Sequence, residues 1–456
     1  MIRTISMAEL TPVLEGMLQD GSAFFSGVSI DTRTLNRGDL YVAIQGERFD
    51  GHDFVDDAAA KGAVGLVVSR PVDTLLPVIQ VEDTRRALGQ IASLNRMAFS
   101  GPVVGITGSN GKTTVKEMIQ RCLGSQDEVL ATQGNLNNDI GVPLTLFRIG
   151  PAHRAAVIEM GANAVGEIAW TSSLASPDVC VITNAGDAHI GGFGSYENIV
   201  LGKGEIIDNT RAEGTVVLNA DDAAFETWER RAGGRPVVSV SAQGRDNADL
   251  RATDIASRAN GLHFNVVHRD GWEQPVTLPL FGEHNVTNAL LAFAASLAVD
   301  RQPDEIARGL ASMQAVSGRL ERIELSSGST LYDDSYNANP TSMAAALRTL
   351  AHEEGRRLAV LGDMAELGDH PETAHRDTAA LARELGIDGF YCLGAFAQAY
   401  REGFGDEARI FETHEALADA LAESLANEPA TVLVKGSRSA AMDRVVAELK
   451  KKRKKH

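Results

Sequence analysis

The sequence predicts an α/β protein with three domains, and two observations carry this prediction. At 456 residues the chain is too long for one hydrophobic core, because single cores stop growing at about 250–300 residues. Short apolar strands also alternate with helices along most of the chain, which indicates parallel sheets covered by helices. We expect a small α/β domain at residues 1–83, a central domain with a mainly parallel sheet at 84–316, and a C-terminal, doubly wound Rossmann-like domain at 317–456.

The first predicted domain combines short strands with turn-forming sequences such as Asn36-Arg37-Gly38-Asp39 and Phe49-Asp50-Gly51-His52. Strands are predicted at 40–44 and 64–68, with a helix at 54–61 between them. A helix at 84–97 leads into the central domain.

The central domain is predicted to begin with a strand at 103–107, a glycine-rich turn and a helix at 112–123. Its other predicted elements are strands at 155–159, 179–183 and 215–218 and a closing helix at 286–299. The C-terminal domain is predicted to alternate strands at 358–361, 390–393, 409–411 and 432–434 with helices at 372–385, 414–425 and 440–450. Doubly wound sheets bind ligands beyond the carboxyl ends of their strands, so we expect ligand contacts there.

Composition and charge exclude several classes of function. The net charge of −18 disfavours a nucleic-acid partner, whose phosphates require a basic face. No apolar run approaches the roughly 18 residues of a membrane helix, and the first ten residues hold no apolar signal core. We expect a cytoplasmic monomer without stable membrane insertion. The basic run 450–455 is a solvated helix end or, alternatively, a weak contact for anionic lipid.

The three cysteines are far apart and show no paired spacing. This argues against a disulfide framework and against a zinc site.

A glycine-rich segment lies between the predicted strand at 103–107 and the helix that follows it. It reads Gly108-Ser109-Asn110-Gly111-Lys112-Thr113-Thr114. Backbone N–H groups at such a turn bind phosphate oxygens, Lys112 would reach the terminal phosphates, and the Thr113 hydroxyl would bind Mg²⁺. The pattern is a variant, because Ile106 stands where the usual loop has its first glycine. The segment predicts a nucleoside triphosphate site but does not specify a reaction.

Several blocks of sequence resemble those of the Mur ligase family, in that family's order and over essentially the whole chain. They are Gly105-Ile106-Thr107 with the loop above, Glu159-Met160-Gly161-Ala162-Asn163, Thr183-Asn184-Ala185-Gly186-Asp187-Ala188-His189, Gly202-Lys203-Gly204-Glu205-Ile206, Gly282-Glu283-His284-Asn285-Val286-Thr287-Asn288, Ser317-Gly318-Arg319-Leu320-Glu321 and Asp333-Asp334-Ser335-Tyr336-Asn337-Ala338-Asn339-Pro340.

Three further stretches resemble the branch of this family that adds D-alanyl-D-alanine. They are Gly134-Asn135-Leu136-Asn137-Asn138-Asp139-Ile140-Gly141-Val142-Pro143, Leu361-Gly362-Asp363-Met364-Ala365-Glu366-Leu367-Gly368 and Val434-Lys435-Gly436-Ser437-Arg438-Ser439. The Asp-Asn-Pro-Arg element typical of the diaminopimelate-adding branch is absent from the sequence.

The resemblance implies an ATP-dependent ligase that joins a UDP-linked muramoyl tripeptide to D-alanyl-D-alanine through an acyl phosphate. It implies ATP and two Mg²⁺ ions as cofactors. Two alternatives stay open at this point. One is another ligase of this fold, such as a diaminopimelate-adding enzyme or a folylpolyglutamate synthase. The other is a regulatory P-loop ATPase, which would need neither a substrate-holding first domain nor a second metal site.

The resemblance also implies the metal-binding residues. Thr113 would hold the first Mg²⁺, and Glu159 and His189 the second, together with a carbamate formed on Lys203. Without the resemblance, a lone Glu159 is more simply a solvated carboxylate, His189 a hydrogen-bonded core residue, and Lys203 an ordinary lysine at a helix start. Lys112, His189, Lys203 and Arg319 are the predicted catalytic residues.

Nucleotide contacts are implied in addition to those of the loop. Arg319 would reach the γ-phosphate, Asn285 and Asn288 the adenine, and Asp334 the ribose. Without the resemblance, Arg319 would form a surface ion pair with Glu321 or Glu324, and the two asparagines would be a helix cap and a surface residue.

The remaining predictions concern the UDP substrate and the dipeptide. The first domain resembles the module that holds the UDP end, although Asp-Gly pairs also occur at ordinary turns. The predicted substrate-binding residues are Ser29, Thr32, Arg33, Gly46, Asp50, Gly51, His52, Asn137, Asn138, Lys435 and Ser437.

Overall fold

A computed structural model describes residues 1–18, 23–186, 190–325, 328–368 and 370–453 of the chain. Within these ranges the strands form three main sheets and one two-stranded ribbon. We call the three the N-terminal sheet (five strands), the central sheet (nine strands) and the C-terminal sheet (six strands). The predicted α/β class is confirmed.

The strands of the described residues are, in chain order, β1 (Ile5–Ser6), β2 (Met17–Leu18), β3 (Phe24–Phe25), β4 (Gly27–Ser29), β5 (Asp39–Val42), β6 (Gly65–Val68), β7 (Val78–Gln80), β8 (Val103–Thr107), β9 (Val129–Ala131), β10 (Ala155–Glu159), β11 (Val179–Ile182), β12 (Thr215–Asn219), β13 (Val237–Ser241), β14 (Leu250–Arg258), β15 (Gly261–His268), β16 (Glu273–Leu278), β17 (Glu321–Glu324), β18 (Thr330–Asp334), β19 (Arg357–Gly362), β20 (Gly389–Leu393), β21 (Arg409–Phe411) and β22 (Thr431–Lys435).

The α-helices are, likewise, α1 (Met7–Leu14), α2 (Val55–Ala60), α3 (Thr84–Met97), α4 (Lys112–Leu123), α5 (Gly141–Phe147), α6 (Glu167–Ala175), α7 (Ile190–Phe193), α8 (Tyr196–Asp208), α9 (Phe225–Ala232), α10 (His284–Leu297), α11 (Pro303–Ala311), α12 (Pro340–Ala351), α13 (Pro371–Glu384), α14 (Ala397–Phe404), α15 (His414–Asn427) and α16 (Asp443–Arg453). Two 3₁₀ turns lie at Gly51–Phe54 and Arg438–Ala440.

The N-terminal sheet has the order β2-β7-β6-β5-β4, with β4 to β7 parallel and β2 antiparallel at one edge. The predicted helix at 54–61 begins instead as the 3₁₀ turn at Gly51–Phe54 and continues as α2. Gly51 is required there, because a Cβ at this position would lie 2.7 Å from the Ile44 nitrogen and 2.9 Å from the Ala43 Cα.

The central sheet has the order β16-β15-β14-β13-β12-β11-β8-β10-β9. Its strands from β9 to β14 are parallel, and β15 and β16 extend it as antiparallel strands. Both faces are covered, since Val179 and Val181 of β11 join the core of α4 and α10 while Cys180 and Ile182 join that of α3 and α6. The mainly parallel sheet is confirmed, and α3 and α4 match their predicted ranges.

The C-terminal sheet has the order β17-β18-β22-β19-β20-β21 and is parallel except for β17. Helices α12, α13 and α14 cover one face, and α15 and α16 the other, so the doubly wound arrangement is confirmed. The last helix was predicted at 440–450 but begins at Asp443. Ala441 has a left-handed backbone (φ +49°), which separates the 3₁₀ turn at Arg438–Ala440 from α16.

Polar residues stand at the carboxyl ends of strands in two different sheets. Glu159 ends β10 and Asn219 ends β12 in the central sheet, whereas Asp334 ends β18 and Lys435 ends β22 in the C-terminal sheet. All four line one cavity, which lies between the two sheets.

None of the helices formed by the described residues is both long enough and apolar enough to cross a membrane. The boundaries at 83/84 and 316/317 stay predictions.

Candidate active site

A cavity of about 410 Å³ lies between the central and C-terminal sheets. It contains many of the predicted nucleotide, metal and catalytic residues together. Of these, the lining residues are Ser109, Asn110, Gly111, Lys112, Thr113, Thr114, Asn137, Glu159, Asn285, Asn288, Arg319, Asp334 and Lys435. Residues that are more than 200 positions apart in the sequence therefore meet in one site.

The glycine-rich loop is held against the end of β11. The N–H of Ser109 donates to the Asn184 carbonyl (3.0 Å), and the N–H of Asn110 donates to Asn184 Oδ1 (2.9 Å). Thr183 Oγ1 donates to the Asn110 carbonyl (2.6 Å). These two loop N–H groups are thus occupied, and the N–H groups of the first turn of α4, which lack intrahelical acceptors, are the ones that can bind an anion.

Gly111 caps α4 with a left-handed backbone (φ +82°). A Cβ there would lie 2.5 Å from Asn288 Oδ1. Glycine is therefore needed both for the turn and for the close approach of α10 to the loop.

Lys112 folds its ammonium over its own loop. Nζ donates to the carbonyls of Gly108 (2.6 Å) and Ser109 (3.2 Å). Burial lowers the pKa of Lys112, the nearby Glu159 charge opposes this, and the Arg319 charge adds to it. Among the described residues this cation has carbonyls and no carboxylate as hydrogen-bond partners, and its place beside the first turn of α4 suits it to a phosphate group.

Glu159 is 3% exposed and faces Thr113 and Asn137. Its Oε2 accepts from Thr113 Oγ1 (2.9 Å) and its Oε1 from Asn137 Nδ2 (3.0 Å). Carboxylate, hydroxyl and amide oxygens suit Mg²⁺, which keeps several waters and phosphate oxygens as ligands and needs only one or two protein carboxylates. The residues present therefore fit one Mg²⁺ ion.

A second metal site depends on residues that the structure does not cover in full. Predicted ligand His189 lies outside the described residues. Among those that are described, no group of three or more His, Cys, Asp or Glu side chains comes together as a metal cluster.

Lys203 lies in α8 and is 1% exposed. Its Nζ stands 5.5 Å from the centre of the Phe193 ring. Burial lowers its pKa well below the usual value, and the Lys112 charge lowers it further. The alternative of an ordinary lysine at a helix start is therefore wrong, because Lys203 is buried in the interior of α8, and its environment favours the neutral amine.

Arg319 joins the two sheets. Its Nη2 donates to Thr113 Oγ1 (3.0 Å), and its guanidinium lies 4.3 Å from the centre of the Tyr336 ring. The alternative of a surface ion pair with Glu321 or Glu324 is wrong, because Glu324 pairs with Arg322 (2.6 Å) and Glu321 pairs with Lys450 (4.0 Å). Arg319 thus lies over the tyrosine ring and directs one donor, Nη2, toward the phosphate loop.

Asp334 accepts from Lys435 Nζ (2.6 Å) and from the Leu320 N–H (3.1 Å). Lys435 also donates to the Asn337 carbonyl (2.9 Å) and is 2% exposed. Lys435, a predicted substrate-binding residue, lies in the cavity as the partner of the predicted ribose-binding Asp334, and its substrate role stays a prediction.

Asn285 and Asn288 share one face of α10 and bond to each other, Asn288 Nδ2 donating to Asn285 Oδ1 (2.9 Å). Asn285 Nδ2 donates to the Phe281 carbonyl (2.7 Å). Both are buried and line the cavity, so neither is a surface residue.

The predicted UDP-binding residues do not line this cavity, whose described lining comes from residues 109–435. Arg33 is exposed, and its Nη2 donates to Asp31 Oδ2 (2.6 Å). Ser29 Oγ donates to the Asp31 carbonyl (2.9 Å). The Thr32 carbonyl accepts from Lys61 Nζ (2.8 Å). Thr32 itself is buried, and Gly46 donates its N–H to the Phe49 carbonyl in an exposed turn. Their substrate roles stay predictions.

His52 is a buried, fully bonded residue. The Ser69 N–H donates to Nε2 (2.9 Å), so the proton is on Nδ1, which lies 2.6 Å from Asp50 Oδ1. This arrangement fixes the turn at Gly51–Phe54 and leaves neither ring nitrogen free for a ligand.

Two further predicted substrate residues stabilise local structure. Asn138 Oδ1 accepts from the Gly141 N–H (2.8 Å) at the start of α5. Ser437 Oγ lies 3.1 Å from Ser439 Oγ, and the Ser437 N–H donates to the Asp363 carbonyl (2.8 Å). Neither lines the cavity.

Sequence reasoning missed four residues with clear roles at the site: Thr183, Asn184, Tyr336 and Asn339. Asn339 Nδ2 donates to Asn110 Oδ1 (2.8 Å). All four fall in the family-like blocks, but nothing in a single sequence says which other segment each contacts.

Three family models match the chain and together cover most of it. They are described as Mur ligase family, catalytic domain (residues 25–96), Mur ligase middle domain (106–296) and Mur ligase, glutamate ligase domain (318–438).

Curated relatives match over nearly the whole chain. The UDP-N-acetylmuramoyl-tripeptide–D-alanyl-D-alanine ligase of Escherichia coli K12 is 44% identical over 98% of both chains, and that of Bacillus subtilis 168 is 36% identical over 93% of both. Among solved structures, MurF from Acinetobacter baumannii is 34% identical with a TM-score of 0.92 over 99% of both chains. MurF ligase from Thermotoga maritima in complex with ADP is 28% identical with a TM-score of 0.86, covering 94% of this chain and 98% of its own.

Proposed function

This chain belongs to the Mur ligase family, and from that premise we propose that it joins a UDP-N-acetylmuramoyl tripeptide to D-alanyl-D-alanine with consumption of ATP. The product is the UDP-linked pentapeptide, with ADP and phosphate, in the synthesis of peptidoglycan precursors in the cytoplasm. The observation that carries this proposal is the 44% identity, over 98% of both chains, to a ligase of that name. The TM-score of 0.92 to a MurF structure supports it.

The geometry of the cavity suits the first half of this reaction. The terminal carboxylate of the tripeptide attacks the γ-phosphorus, the bond from that phosphorus to the β–γ bridging oxygen breaks, and ADP leaves with the electron pair. A carboxylate approaching a triphosphate meets strong repulsion, so cations must lie between the two. Lys112 and Arg319 supply two such cations, one from the loop and one from the C-terminal side.

In the second half, the amine of the dipeptide attacks the carbonyl carbon of the acyl phosphate. The carbon–oxygen bond to phosphate breaks, phosphate leaves, and the amine loses its proton as the amide forms. The chain must keep water away during this step, because water would hydrolyse the acyl phosphate. The position of the cavity between two sheets supports that exclusion.

Mg²⁺ would be held by Thr113 and Glu159, with Asn137 orienting the carboxylate. When bound, it neutralises phosphate charge and fixes the geometry of the phosphoryl group. The second ion would be bound by Glu159, His189 and Lys203, as the family resemblance implies.

A carbamate on Lys203 fits the environment of that side chain. Carbamate formation requires a neutral amine, and both burial and the Lys112 charge favour that form. The carbamate supplies oxygens with a negative charge, which suit a hard cation better than an ammonium does.

For the nucleotide, we propose that Asn285 and Asn288 face the adenine and that the Asp334–Lys435 pair binds the ribose. For the UDP end of the substrate, we propose the surface around Ser29, Arg33 and the turn at Gly51–Phe54 in the 1–83 domain. His52 would act there by fixing the turn rather than by touching the ligand, because both its ring nitrogens are bonded.

Mass spectrometry of the product tests the proposed function directly. Incubation with ATP, Mg²⁺, the UDP-muramoyl tripeptide and D-alanyl-D-alanine should yield a species heavier than the tripeptide substrate by one dipeptide less one water. A product formed instead with diaminopimelate or glutamate as the amine donor, and none with the dipeptide, would refute the proposal.

A further inference from the structure

Two asparagines meet where the C-terminal sheet's helices contact the phosphate loop. Asn339 Nδ2 donates to Asn110 Oδ1 at 2.8 Å, across 229 positions of sequence. Both line the cavity, and Asn339 is 7% exposed. This contact therefore connects the two sides of the site through a single amide–amide hydrogen bond.

The orientation of the Asn339 amide is fixed by its own helix. Asn339 is the N-cap of α12, and its Oδ1 accepts from the Ser342 N–H (2.9 Å). A backbone N–H can only donate, so the oxygen of the amide must face Ser342 and the NH₂ must face Asn110. The reciprocal bond from the Asn339 N–H to Ser342 Oγ (3.1 Å) holds the cap in place.

The orientation of Asn110 follows from that of Asn339. Because Asn339 presents a donor, Asn110 must present its oxygen, and its own NH₂ is turned the other way. That Nδ2 is buried and finds no hydrogen-bond acceptor among the residues that the structure describes. The backbone N–H and carbonyl of Asn110 are already bonded to Asn184 and Thr183.

A buried donor without an acceptor is unfavourable and rare in proteins. In a phosphate loop, the acceptor that would satisfy it is a phosphate oxygen.

We propose that Asn339 is a positioning residue that turns the Asn110 NH₂ toward an oxygen of the terminal phosphoryl group of ATP. Asn110 is the residue that touches this group, and Asn339 acts only through it. The inference rests on the proposed function in one respect, namely that ATP is the phosphoryl donor. Because Asn339 and Asn110 lie on opposite sides of the cavity, the donor is oriented only when the two sides are in contact, which couples phosphoryl transfer to closure.

Asn339→Asp separates this role from helix capping. Asp and Asn are equally good N-caps, so α12 stays intact. The second carboxylate oxygen cannot donate, however, so Asn110 must reverse its amide, give its NH₂ to the carboxylate and turn its oxygen toward the phosphate. We expect the affinity for a non-hydrolysable ATP analogue to fall about 10-fold or more, with ADP affinity changed less than about 2-fold, and kcat to fall by about 10²-fold.

Asn339→Ser is the matched variant, since serine also caps the helix but does not force the Asn110 amide to reverse. Its loss should be smaller than that of Asn339→Asp. Thr413→Ala removes the cap of α15 at an exposed position, and should leave both affinities and kcat unchanged. Equal analogue binding and kcat in wild type and Asn339→Asp would overturn the proposal.

A double-mutant cycle excludes simple charge repulsion as the cause. If Asn339 acts through Asn110, then Asn339→Asp should cost little more in an Asn110→Ala background, where no amide remains to reverse. Additive losses would instead show that the new carboxylate repels phosphate directly, and would refute the positioning role.

The affinity ratio of ATP analogue to ADP needs neither the tripeptide nor the dipeptide. A wild type that binds both nucleotides but makes no pentapeptide would refute the proposed function, and the ratio would still decide this inference.

Discussion

Arg319 Nη2 lies 3.0 Å from Thr113 Oγ1, although the two residues are 206 positions apart. The same Thr113 hydroxyl donates to Glu159, so one hydroxyl connects the C-terminal side of the site to the carboxylate that suits Mg²⁺. Arg319 is held in this position by Tyr336, on which its guanidinium stacks. The hydrogen bond from Arg319 to Thr113 therefore requires that the two sides of the cavity lie in contact.

Closure should depend on bound nucleotide. We expect ATP analogue plus the UDP-tripeptide to reduce the radius of gyration measured by small-angle X-ray scattering, because ATP bridges the loop and Arg319. A scattering curve that does not change when both ligands are added would contradict this expectation.

Arg319→Lys should lower kcat at least about 10-fold, since lysine lacks the planar fork that both stacks on Tyr336 and bonds two oxygens. Arg308→Ala, which removes a surface ion pair with Asp304, is the control.

Lys112→Ala should lower kcat by at least about 10²-fold, because it removes a cation at the transferring phosphoryl group. The protein should remain folded, since the hydrogen bonds of the Lys112 ammonium to described residues go to carbonyls of its own loop. Steady-state kinetics of the variant test this prediction, and circular dichroism checks that the variant is folded. Turnover within a few fold of wild type in a folded variant would remove Lys112 from the mechanism.

Lys203 should be essential and should carry a carbamate. Lys203→Ala should lose most activity, and Lys203→Glu should retain more of it because a carboxylate replaces the carbamate oxygens. With ¹³C-labelled bicarbonate, wild type should show a carbamate carbon resonance that Lys203→Ala lacks. If alanine is inactive while wild type shows no such resonance and ignores bicarbonate, Lys203 acts as a plain amine instead.

His375 should make stability depend on pH. Burial lowers its pKa, with the Pro371 carbonyl and the Asp363 charge opposing, and the Met364 N–H donates to its Nε2 (2.9 Å), which requires an unprotonated nitrogen. Its ring packs between Phe396 and Tyr400. The unfolded chain therefore binds the proton more readily, at a pKa of about 6.5.

The stabilising effect of neutral His375 is fully present above that unfolded pKa and is lost as pH falls below it toward the lowered folded pKa. The slope is at most about 1.4 kcal/mol per pH unit. Urea denaturation, with assay buffers set between pH 7.5 and pH 5, should show this loss of unfolding free energy in wild type and a smaller loss in His375→Phe. A His375 ring resonance that titrates at or above the unfolded pKa would contradict the assignment, whether or not the variant folds.

Much of the local structure could be predicted from the sequence. Strand β8, the loop at 108–111 and helix α4 follow from an apolar run, glycines and a helical pattern that all lie within the continuous segment 103–123. The strands β14 to β16 were missed, because β14 and β16 are partly exposed and carry few continuous apolar residues. Such strands give a weak pattern.

Contacts between distant segments could not be predicted from one sequence. Lys435 was predicted to bind substrate, and only the fold shows that β18 and β22 are neighbours, which places Lys435 against Asp334. His52 was assigned to the UDP substrate, and only the fold reveals that Ser69 and Asp50 occupy its ring. The Asn110–Asn339 bond likewise depends on how two sheets pack, which no local pattern encodes.

Phosphate release measured with and without each substrate decides whether this chain is a ligase. With ATP and Mg²⁺ present, release should be slow with either the UDP-muramoyl tripeptide or D-alanyl-D-alanine alone. With both it should rise by at least about 10²-fold, because phosphate leaves only when the dipeptide amine attacks the acyl phosphate formed on the tripeptide. One phosphate should appear for each pentapeptide formed. Release that proceeds at the same rate without either substrate would contradict the ligase assignment and identify the chain as an ATPase of another kind.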